Sequence, residues 1–304
     1  MQALRHLRGQ LATIGLRGMI AIAARNRLRR RLRAYEVCRP LVEHGRGIEI
    51  GGSSPIFARV GLLPLYPLLA RLDNCDFTDE TIWHGEAAEG SAFQYDPDRQ
   101  PGRRFVRDAT SLDGIDDASY DVVLSSHTIE HVANPLRALA EWKRVLREDG
   151  CLVLVAPHLE NTFDHRRAVT TIEHLERDLA RSTPEDDETH VQEFVELCDL
   201  ARVPERLSRQ AFEERTRAFA ANRTLHHHVF DTQLLVRLLN RAGFELLDVE
   251  TALPFHIVAT ARPNRGEPAS VDERLRSRLV DWRRKSVFEH DRRQVPGQAA
   301  RTRS

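Results

Sequence analysis

The sequence predicts an α/β fold built on a doubly wound, mostly parallel sheet. Short apolar runs bounded by turn residues alternate along the chain with stretches of helical periodicity. Strands that are apolar throughout are typical of sheets covered by helices on both faces. Repeated alternation of strand and helix favours right-handed βαβ units, and in sheets of that kind ligands bind at the carboxyl ends of the strands.

The first predicted strand ends in a glycine-rich loop. Residues 46–55 read RGIEIGGSSP, so that Glu49 lies in the apolar run and Gly51, Gly52 and Ser53 follow it. Glycine has no Cβ, which lets the backbone turn sharply and lets a ligand lie against bare amides. The loop is either a cofactor-binding loop or a tight turn after a buried strand, and the glycine pair alone does not separate the two.

Later segments supply the remaining strands and two helices. The other predicted strands are residues 105–108, 120–126, 151–156, 244–251 and 256–261. One helix begins at Asn134, before Pro135, and ends at Gly150. A second helix is capped by Asp231 and ends at Gly243.

Length, composition and charge are those of a soluble enzyme. The 304 residues suffice for one domain with a sizeable insertion, and 41% hydrophobic residues suffice for a core. The 45 Lys and Arg residues balance 45 Asp and Glu residues, which argues against nucleic-acid binding by the chain as a whole. Cys38, Cys75, Cys151 and Cys198 form no C-x-x-C pair, as expected of reduced thiols in a cytoplasmic protein.

Residues 1–34 are predicted to form a basic amphipathic segment whose cations are all arginines. Its apolar stretch, residues 11–24, is interrupted by Arg17 and is too short to span a bilayer, and no small-residue cleavage site follows it. Two interpretations stay open. The segment lies on anionic lipid at the inner membrane face, or it covers another subunit or part of its own domain.

From residue 35 to residue 262 the order of elements resembles the class I S-adenosylmethionine-dependent methyltransferases. The first loop of that family typically reads acidic-x-Gly-x-Gly, and here Glu49, Gly51 and Ser53 occupy those positions, with Pro55 where a further glycine often occurs. Residues 107–157 look like the family's stretch from the adenine-side acid to the fifth strand. The resemblance implies a seven-stranded, Rossmann-like methyltransferase domain with S-adenosylmethionine as its cofactor.

The resemblance also implies individual contacts to the cofactor. Glu49 would hold the methionyl ammonium, directly or through water, and the backbone of residues 51–53, including Gly52, would lie close to the cofactor. Asp108 would accept a hydrogen bond from the adenine amino group, while the amide of Ala109 would reach a ring nitrogen.

The remaining implied contacts involve the ribose and the methionine arm. The acid that grips the ribose hydroxyls follows the second strand, where Asp73 and Asp76 are both candidates. Ser125, Ser126 and His127 would line the methionine arm or the acceptor.

Residues 127–131 also read H-x-x-E-H, the pattern of inverted-motif zinc peptidases. On one helix this pattern places His127 and His131 a turn apart beside Glu130, which would suit a metal-dependent hydrolase. Because the string follows a buried strand directly and includes the turn into the next helix, its histidines need not share a helical face. The methyltransferase interpretation is therefore favoured, and no metal is assigned to these residues.

Residues 158–229 are too many for an ordinary connection, so they predict a helical lid or inserted subdomain before the last helix and strand pair. The segment is rich in histidine: His158, His165, His174, His190, His226, His227 and His228. Three interpretations stay open for them: a general base, ligands of a divalent metal with Asp231 or Asp164, or polar lid residues. The candidates for the base are His158, which follows the fifth strand, His165, which begins the lid, and His127.

Together these features predict an enzyme that methylates a hydroxyl or amine of a small-molecule or glycan-like acceptor. A looser resemblance, which includes LHHHVFDTQLL at residues 225–235, extends to bacterial methyltransferases of surface-polysaccharide and glycolipid assembly. The alternative is a methyltransferase-like scaffold that binds the cofactor weakly or not at all. Residues 263–304 predict a C-terminal helix followed by a disordered tail.

Overall fold

Eight strands form one sheet in the order β5-β6-β2-β1-β7-β8-β10-β9. The computed structural model describes residues 14–24, 31–81, 85–86, 88–205, 207–264 and 273–294. Its strands are β1 (Arg46–Ile50), β2 (Arg71–Asp76), β3 (Glu80–Thr81), β4 (Gly85–Glu86), β5 (Ala92–Phe93), β6 (Gly102–Val106), β7 (Tyr120–Ser126), β8 (Leu146–Pro157), β9 (Phe244–Ala252) and β10 (His256–Pro263). β3 and β4 pair with each other as a separate short hairpin.

The pairing confirms the predicted doubly wound, mostly parallel sheet. β6, β2, β1, β7 and β8 run parallel to one another, while β10 lies antiparallel between β8 and β9. The sheet has one strand more than the seven predicted, because the two-residue strand β5 adds antiparallel to the edge at β6. This is the Rossmann-like methyltransferase fold with a short extra edge strand.

Helices cover both faces of this sheet. They are Ala34–Val42, Pro135–Val145, Ile172–Arg181, Val191–Leu197, Arg209–Arg217, Phe219–Asn222, Thr232–Arg241, Glu273–Lys285 and Glu289–Arg293, and residues 14–24 are helical as well. The side chains of Asn134 and Asp231 cap their helices as predicted. The helix that follows Asn134 ends at Val145, earlier than predicted, because Leu146 already pairs with Tyr120 in the sheet.

The hydrophobic core lies on both sides of the central strands. On one face, Trp142 and Leu235 come from the helices Pro135–Val145 and Thr232–Arg241 and are fully buried against the sheet. On the other face, Cys38 and Val42 of the helix Ala34–Val42 pack against Val153. Strands covered on both faces explain why the predicted strands read as continuous apolar runs.

Within the sheet, β2 lies on one side of β1, and β7 lies on the other side of β1. β1 therefore has β2 and β7 as its two parallel neighbours, and the direction of winding reverses between β1 and β7. In open α/β sheets the crevice outside the carboxyl ends of the strands at this point is where ligands bind. The loop after β1 and the turn after β7 therefore flank the expected binding crevice.

The segment predicted as a lid carries helices and a small core of its own. Phe194, Phe212 and Phe219 are buried together with Val191 and Leu225. This core is separate from the two that flank the sheet. The insertion thus has a hydrophobic core of its own and lies near the carboxyl ends of the central strands.

Much of the two predicted terminal segments lies outside the described residues, namely residues 1–13 and 25–30 at one end and 265–272 and 295–304 at the other. In the helical stretch 14–24, Leu16 and Ile20 are 65% and 59% exposed. Among the described residues, none of the helices combines the length and the apolar character needed to cross a bilayer.

Candidate active site

A cavity of about 370 Å³ lies at the carboxyl ends of the central parallel strands. Its floor comes from residues that end or follow three of them: Gly51 after β1, Asp76 at the end of β2 and Ser126 at the end of β7. Phe163 and Arg223 of the insertion contribute to its lining from the other side. The volume lies within the range of cavities that hold small molecules and cofactors.

The loop after β1 needs both of its glycines. Gly51 has a φ of +74°, and a Cβ there would lie 2.3 Å from the Thr128 side-chain oxygen. A Cβ at Gly52 would lie 2.0 Å from the carboxyl carbon of Glu49. Ser53 follows the pair and lines the cavity. Gly51 and Ser53 therefore line the cavity, whereas Gly52 does not.

Glu49 lies beneath this loop rather than in the cavity lining. Its carboxylate is fully buried, accepts a hydrogen bond from the Tyr66 hydroxyl at 2.6 Å and accepts another from the Ser54 amide at 3.0 Å. Burial raises the pKa of Glu49 to about 8. The structure does not bring the Glu49 carboxylate to the cavity for the predicted direct contact with a methionyl ammonium, because Gly52 packs over it. The carboxylate instead holds the loop by accepting the hydrogen bond from the Ser54 amide.

Of the two candidate ribose acids, the structure brings Asp76 to the cavity and not Asp73. Asp76 ends β2, is 5% exposed, and its Oδ2 accepts no hydrogen bond from the described residues. Burial raises the pKa of Asp76 to about 7, against the opposing charge of Arg104. Asp73 lies within β2, where the Arg103 amide and the Tyr120 hydroxyl donate to it at 2.8 and 2.9 Å.

Asp108 and Ala109 line the cavity beyond β6. The amide and hydroxyl of Thr110 donate to Asp108 Oδ1 at 2.8 and 2.7 Å. Arg223 donates to Asp108 Oδ2 at 2.8 Å, and its guanidinium lies 5.4 Å from the centre of the Phe77 ring. Phe77 directly follows Asp76 at the end of β2, and neither Phe77 nor Arg223 was predicted from the sequence.

His127 and Ser126 face the cavity at the turn after β7, whereas Ser125 does not. His127 has a φ of +55° and its Nε2 lies 2.9 Å from Nδ1 of His256. The Ser126 hydroxyl is buried and has no hydrogen-bond partner among the described residues. Ser125 is buried in the strand, where its hydroxyl donates to the Ile50 carbonyl at 3.2 Å.

The other two candidate bases, His158 and His165, are not brought to the cavity. His158 is fully buried, stacks on the Phe288 ring at 3.9 Å, accepts a hydrogen bond from the Glu160 amide at 3.1 Å and lies 3.3 Å from Asp291. The C-terminal helices cover this end of β8, so both ring nitrogens of His158 have partners away from any substrate.

His165 lies on the insertion, and its Nε2 is 2.9 Å from the carboxylate of Asp199. This hydrogen bond directs the imidazole to the neighbouring loop. His127 is therefore the one of the three candidate bases that lines the cavity.

Residues 68–154, which run from the residues before β2 almost to the end of β8, match the family described as methyltransferase domain. Over these residues the chain is similar to a methyltransferase domain. No curated protein sequence matches the chain.

Solved structures of methyltransferases are similar to this chain at low identity. A S-adenosylmethionine-dependent methyltransferase from Mesorhizobium loti is 16% identical, with a TM-score of 0.44 and coverage of 75% of this chain and 95% of that one. The 1,6-didemethyltoxoflavin-N1-methyltransferase of Burkholderia thailandensis, solved with its substrate and S-adenosylhomocysteine, is 14% identical, with a TM-score of 0.39 and coverage of 76% and 79%. These identities and TM-scores are too low to support an inference about the substrate or cofactor of this chain.

The H-x-x-E-H string does not form an α-helix. Residues Ile129–His131 make a single 3-10 turn, and His127 precedes it with a positive φ. His127 and His131 therefore do not lie one α-helical turn apart, which the zinc-peptidase pattern requires. The metal-dependent hydrolase alternative has no support in this geometry.

A different histidine completes the group around Glu130. His226 of the insertion lines the cavity together with Glu130 and His131, and its ring centre lies 4.5 Å from that of His131. Glu130 is 1% exposed, and its Oε2 accepts no hydrogen bond from the described residues. The sequence contains both the H-x-x-E-H string and the histidine run at residues 226–228. They come together only when the insertion folds.

Proposed function

We propose that this protein transfers a methyl group from S-adenosylmethionine to a hydroxyl or amine of a small-molecule or glycan-like acceptor. The observation that carries the proposal is that one cavity, at the point where the winding of the sheet reverses, is lined by Gly51, Asp76 and Asp108. These residues offer bare backbone and two separated carboxylates. The match of residues 68–154 to the methyltransferase domain family supports the same chemistry.

The residues of the cavity fit the parts of the cofactor. Asp76 has a buried oxygen that accepts no hydrogen bond from the described residues and lies 3.8 Å from the Arg104 guanidinium, which leaves it able to accept from the hydroxyls of a ribose. Asp108, Ala109 and the Phe77 ring form the side that would take the adenine. The backbone at Gly51 would lie along the methionine arm, because Gly51 lines the cavity and has no Cβ to block a close approach.

The acceptor would occupy the part of the cavity lined by His127, Phe163 and Phe255. Bound S-adenosylmethionine supplies an activated methyl group on a sulfonium. The enzyme then has to align the acceptor lone pair with that methyl carbon and exclude water. His127, whose Nε2 lies 2.9 Å from His256 Nδ1, would accept the proton of a neutral hydroxyl as the new bond to carbon forms.

Two measurements on matched variants test this function. Calorimetry should detect S-adenosylmethionine binding to the wild-type chain, and Asp76→Asn and Asp108→Asn should each weaken it by about 10- to 100-fold, because a charge-assisted hydrogen bond contributes roughly 1.5–3 kcal/mol. The control is Asp116→Asn, an exposed acid away from the cavity lining, which should bind like the wild type.

Incubation with cell extract and cofactor labelled in the methyl group then tests transfer. Label is expected in a small-molecule or glycan fraction, and its appearance should depend on Asp76. Absence of binding heat above dilution would overturn the proposal and favour a methyltransferase-like scaffold.

A further inference from the structure

We propose that the acceptor end of the cavity binds a divalent metal ion through Glu130, His131 and His226. One ligand atom from each residue lies within 4.8 Å of the other two. Two imidazoles and one carboxylate facing a cavity are a recurrent ligand set for transition-metal ions with positions left open for substrate. The site itself stands on these contacts alone, whereas its role in methyl transfer rests on the proposed function.

Glu130 supplies the first argument. Its carboxylate is almost completely buried, and Oε2 has no hydrogen-bond partner among the described residues. Oε1 lies 3.9 Å from His131 Nε2 and 3.5 Å from His127 Nδ1. A buried carboxylate oxygen that accepts nothing is costly, and a bound cation would remove that cost.

The second argument is the orientation of the two imidazoles. His226 Nδ1 lies 2.5 Å from Asp164, whose carboxylate also pairs with Arg167 at 2.9 Å. His131 Nδ1 lies 3.1 Å from the Leu225 carbonyl, which can only accept a hydrogen bond. In both rings Nδ1 is therefore the donor, so that Nε2 carries the lone pair.

This pairing is what metal-binding histidines require. A ligand histidine usually donates its other ring N–H to a carboxylate or a backbone carbonyl, and that bond fixes the tautomer and the direction of the ring. Asp164 and the Leu225 carbonyl occupy those positions for His226 and His131. Asp164 is accordingly a positioning residue rather than a ligand.

The ligand chemistry limits the metal and suggests what it does. Mg²⁺ and Ca²⁺ prefer oxygen ligands, whereas two imidazoles and a carboxylate suit Zn²⁺, Mn²⁺, Fe²⁺ or Co²⁺. The acceptor class that fits is a hydroxyl, or a pair of neighbouring hydroxyls, that binds the ion beside His127. The hydroxyl would pass its proton to His127 while its oxygen bonds to the methyl carbon and the bond from carbon to sulfur breaks.

A second metal site is carried by a different group of residues within the insertion. His174, His190 and His228 each place one ligand atom within 4.8 Å of the others. The Nε2 atoms of His174 and His190 lie 3.2 Å apart, close to the roughly 3.3 Å that tetrahedral Zn²⁺ with bonds of about 2.0 Å imposes on two nitrogens. We infer that this site takes Zn²⁺.

Two buried atoms at this second site lack the hydrogen bonds that they would otherwise need. His228 Nε2 lies 3.2 Å from the Ala133 carbonyl, which can only accept, so Nε2 is the donor and the lone pair is on Nδ1. The buried Nδ1 has no hydrogen-bond partner among the described residues. Asp178 Oδ2 lies 3.3 Å from His174 Nε2 and also accepts no hydrogen bond. An ion here would join the helix Ile172–Arg181 to His190 and to the chain after residue 225, and such a closed site would stabilise the insertion.

Metal content separates the two sites. The full chain is stripped with a chelator, dialysed against Zn²⁺ or Co²⁺, and its bound metal is measured by mass spectrometry. The wild type should retain two equivalents, and His226→Gln and His228→Gln should each retain one. His44→Asn, an exposed histidine outside both groups, should retain two.

A second variant and a second readout guard against misfolding. Glu130→Gln keeps the size of the side chain and should also lose one equivalent, with a circular dichroism spectrum like the wild type. Co²⁺ bound at the cavity site should give visible absorption bands that Glu130→Gln lacks. Wild-type protein that retains no metal would overturn both sites, and loss of metal in His228→Gln alone would overturn the cavity site.

The cavity site is further tested without relying on the proposed function. His226→Gln should bind S-adenosylmethionine like the wild type in calorimetry, while label transfer should fall at least 100-fold. If metal binds but no cofactor does, the proposed function fails and the metal site stands. If the cofactor binds, label is transferred, and chelation changes neither metal content nor transfer, the metal proposal fails alone.

Discussion

Arg223 of the insertion donates to Asp108 at 2.8 Å and thereby joins the insertion to the part of the cavity lined by Asp108 and Ala109. The same guanidinium donates to Glu185 at 2.6 Å and is only 18% exposed. A partly buried cation between two carboxylates holds the insertion over the sheet. The insertion and the cavity are therefore coupled through one side chain.

Arg223→Gln should loosen this contact. Removing the cation leaves Asp108 and Glu185 without their common partner, which is costly for partly buried charges. Hydrogen exchange of amides between residues 158 and 229 should accelerate, and S-adenosylhomocysteine should dissociate about ten-fold faster in stopped-flow measurements. Arg209→Gln, which removes an exposed ion pair with Glu213, is the matched control and should change neither rate. Unchanged exchange in the Arg223 variant would show that the contact does not hold the insertion.

Cofactor affinity should depend on pH through Asp76. Burial raises the pKa of this carboxyl to about 7, and two ribose hydroxyls need both carboxylate oxygens as acceptors. Affinity for S-adenosylhomocysteine should therefore rise between about pH 6 and pH 8 as the carboxyl ionises. The Asp76→Asn variant should bind more weakly and show a flatter profile, measured by calorimetry across that range. Parallel pH profiles for the two proteins would exclude Asp76 as the acceptor.

Glu49 should make the protein less stable as pH rises. Burial raises the pKa of Glu49 from 4.5 to about 8 in the folded chain, so the folded state favours the protonated form. Below about pH 4.5 both states are protonated, and above it the unfolded chain ionises first. Stability is thus lost progressively up to the folded pKa, by at most about 1.4 kcal/mol per pH unit.

Urea denaturation of Glu49→Gln tests this contribution. Gln cannot ionise, so the free energy of unfolding of the variant minus that of the wild type should be larger, and the variant relatively more stable, at pH 8 than at pH 5. The comparison uses the difference between the two proteins at each pH, which cancels the titration of all other groups. A difference that does not change with pH would show that Glu49 ionises normally in the fold.

His158 and His127 should respond in opposite ways to substitution. His158→Asn removes a stacked, hydrogen-bonded ring from a fully buried position and should lower the free energy of unfolding by about 1–3 kcal/mol, with turnover of the folded enzyme changed only a few-fold. His127→Asn, which suits the positive φ at that position, should lower turnover by about 10²- to 10⁴-fold with little change in stability. Unfolding curves and label transfer on both variants provide the comparison. A larger loss of turnover in His158→Asn would restore it as a catalytic residue.

The sequence predicted the parts of this domain that depend on local pattern. The apolar runs predicted β1, β7 and β8, and the capping residues Asn134 and Asp231 predicted where two helices begin. Both signals depend only on residues that are neighbours in the sequence. The glycine pair after β1 was equally readable, since a sharp turn there leaves no room for a Cβ.

The misplaced residues depend on distant parts of the chain. Asp73 and Asp76 could not be separated because the pattern did not show where β2 ends. His158 follows β8 as predicted, but the helix Glu289–Arg293 covers it, and no local signal announces that contact. The meeting of Glu130 with His226 likewise arises only when the insertion folds back onto the turn after β7.

A crystal structure of the protein with S-adenosylhomocysteine tests the central claim most directly. The account predicts the ribose hydroxyls on Asp76, the adenine beside Asp108 and Ala109, and the amino-acid end along the backbone of Gly51. Density for the ligand in another cavity, or with its ribose away from Asp76, would contradict the account.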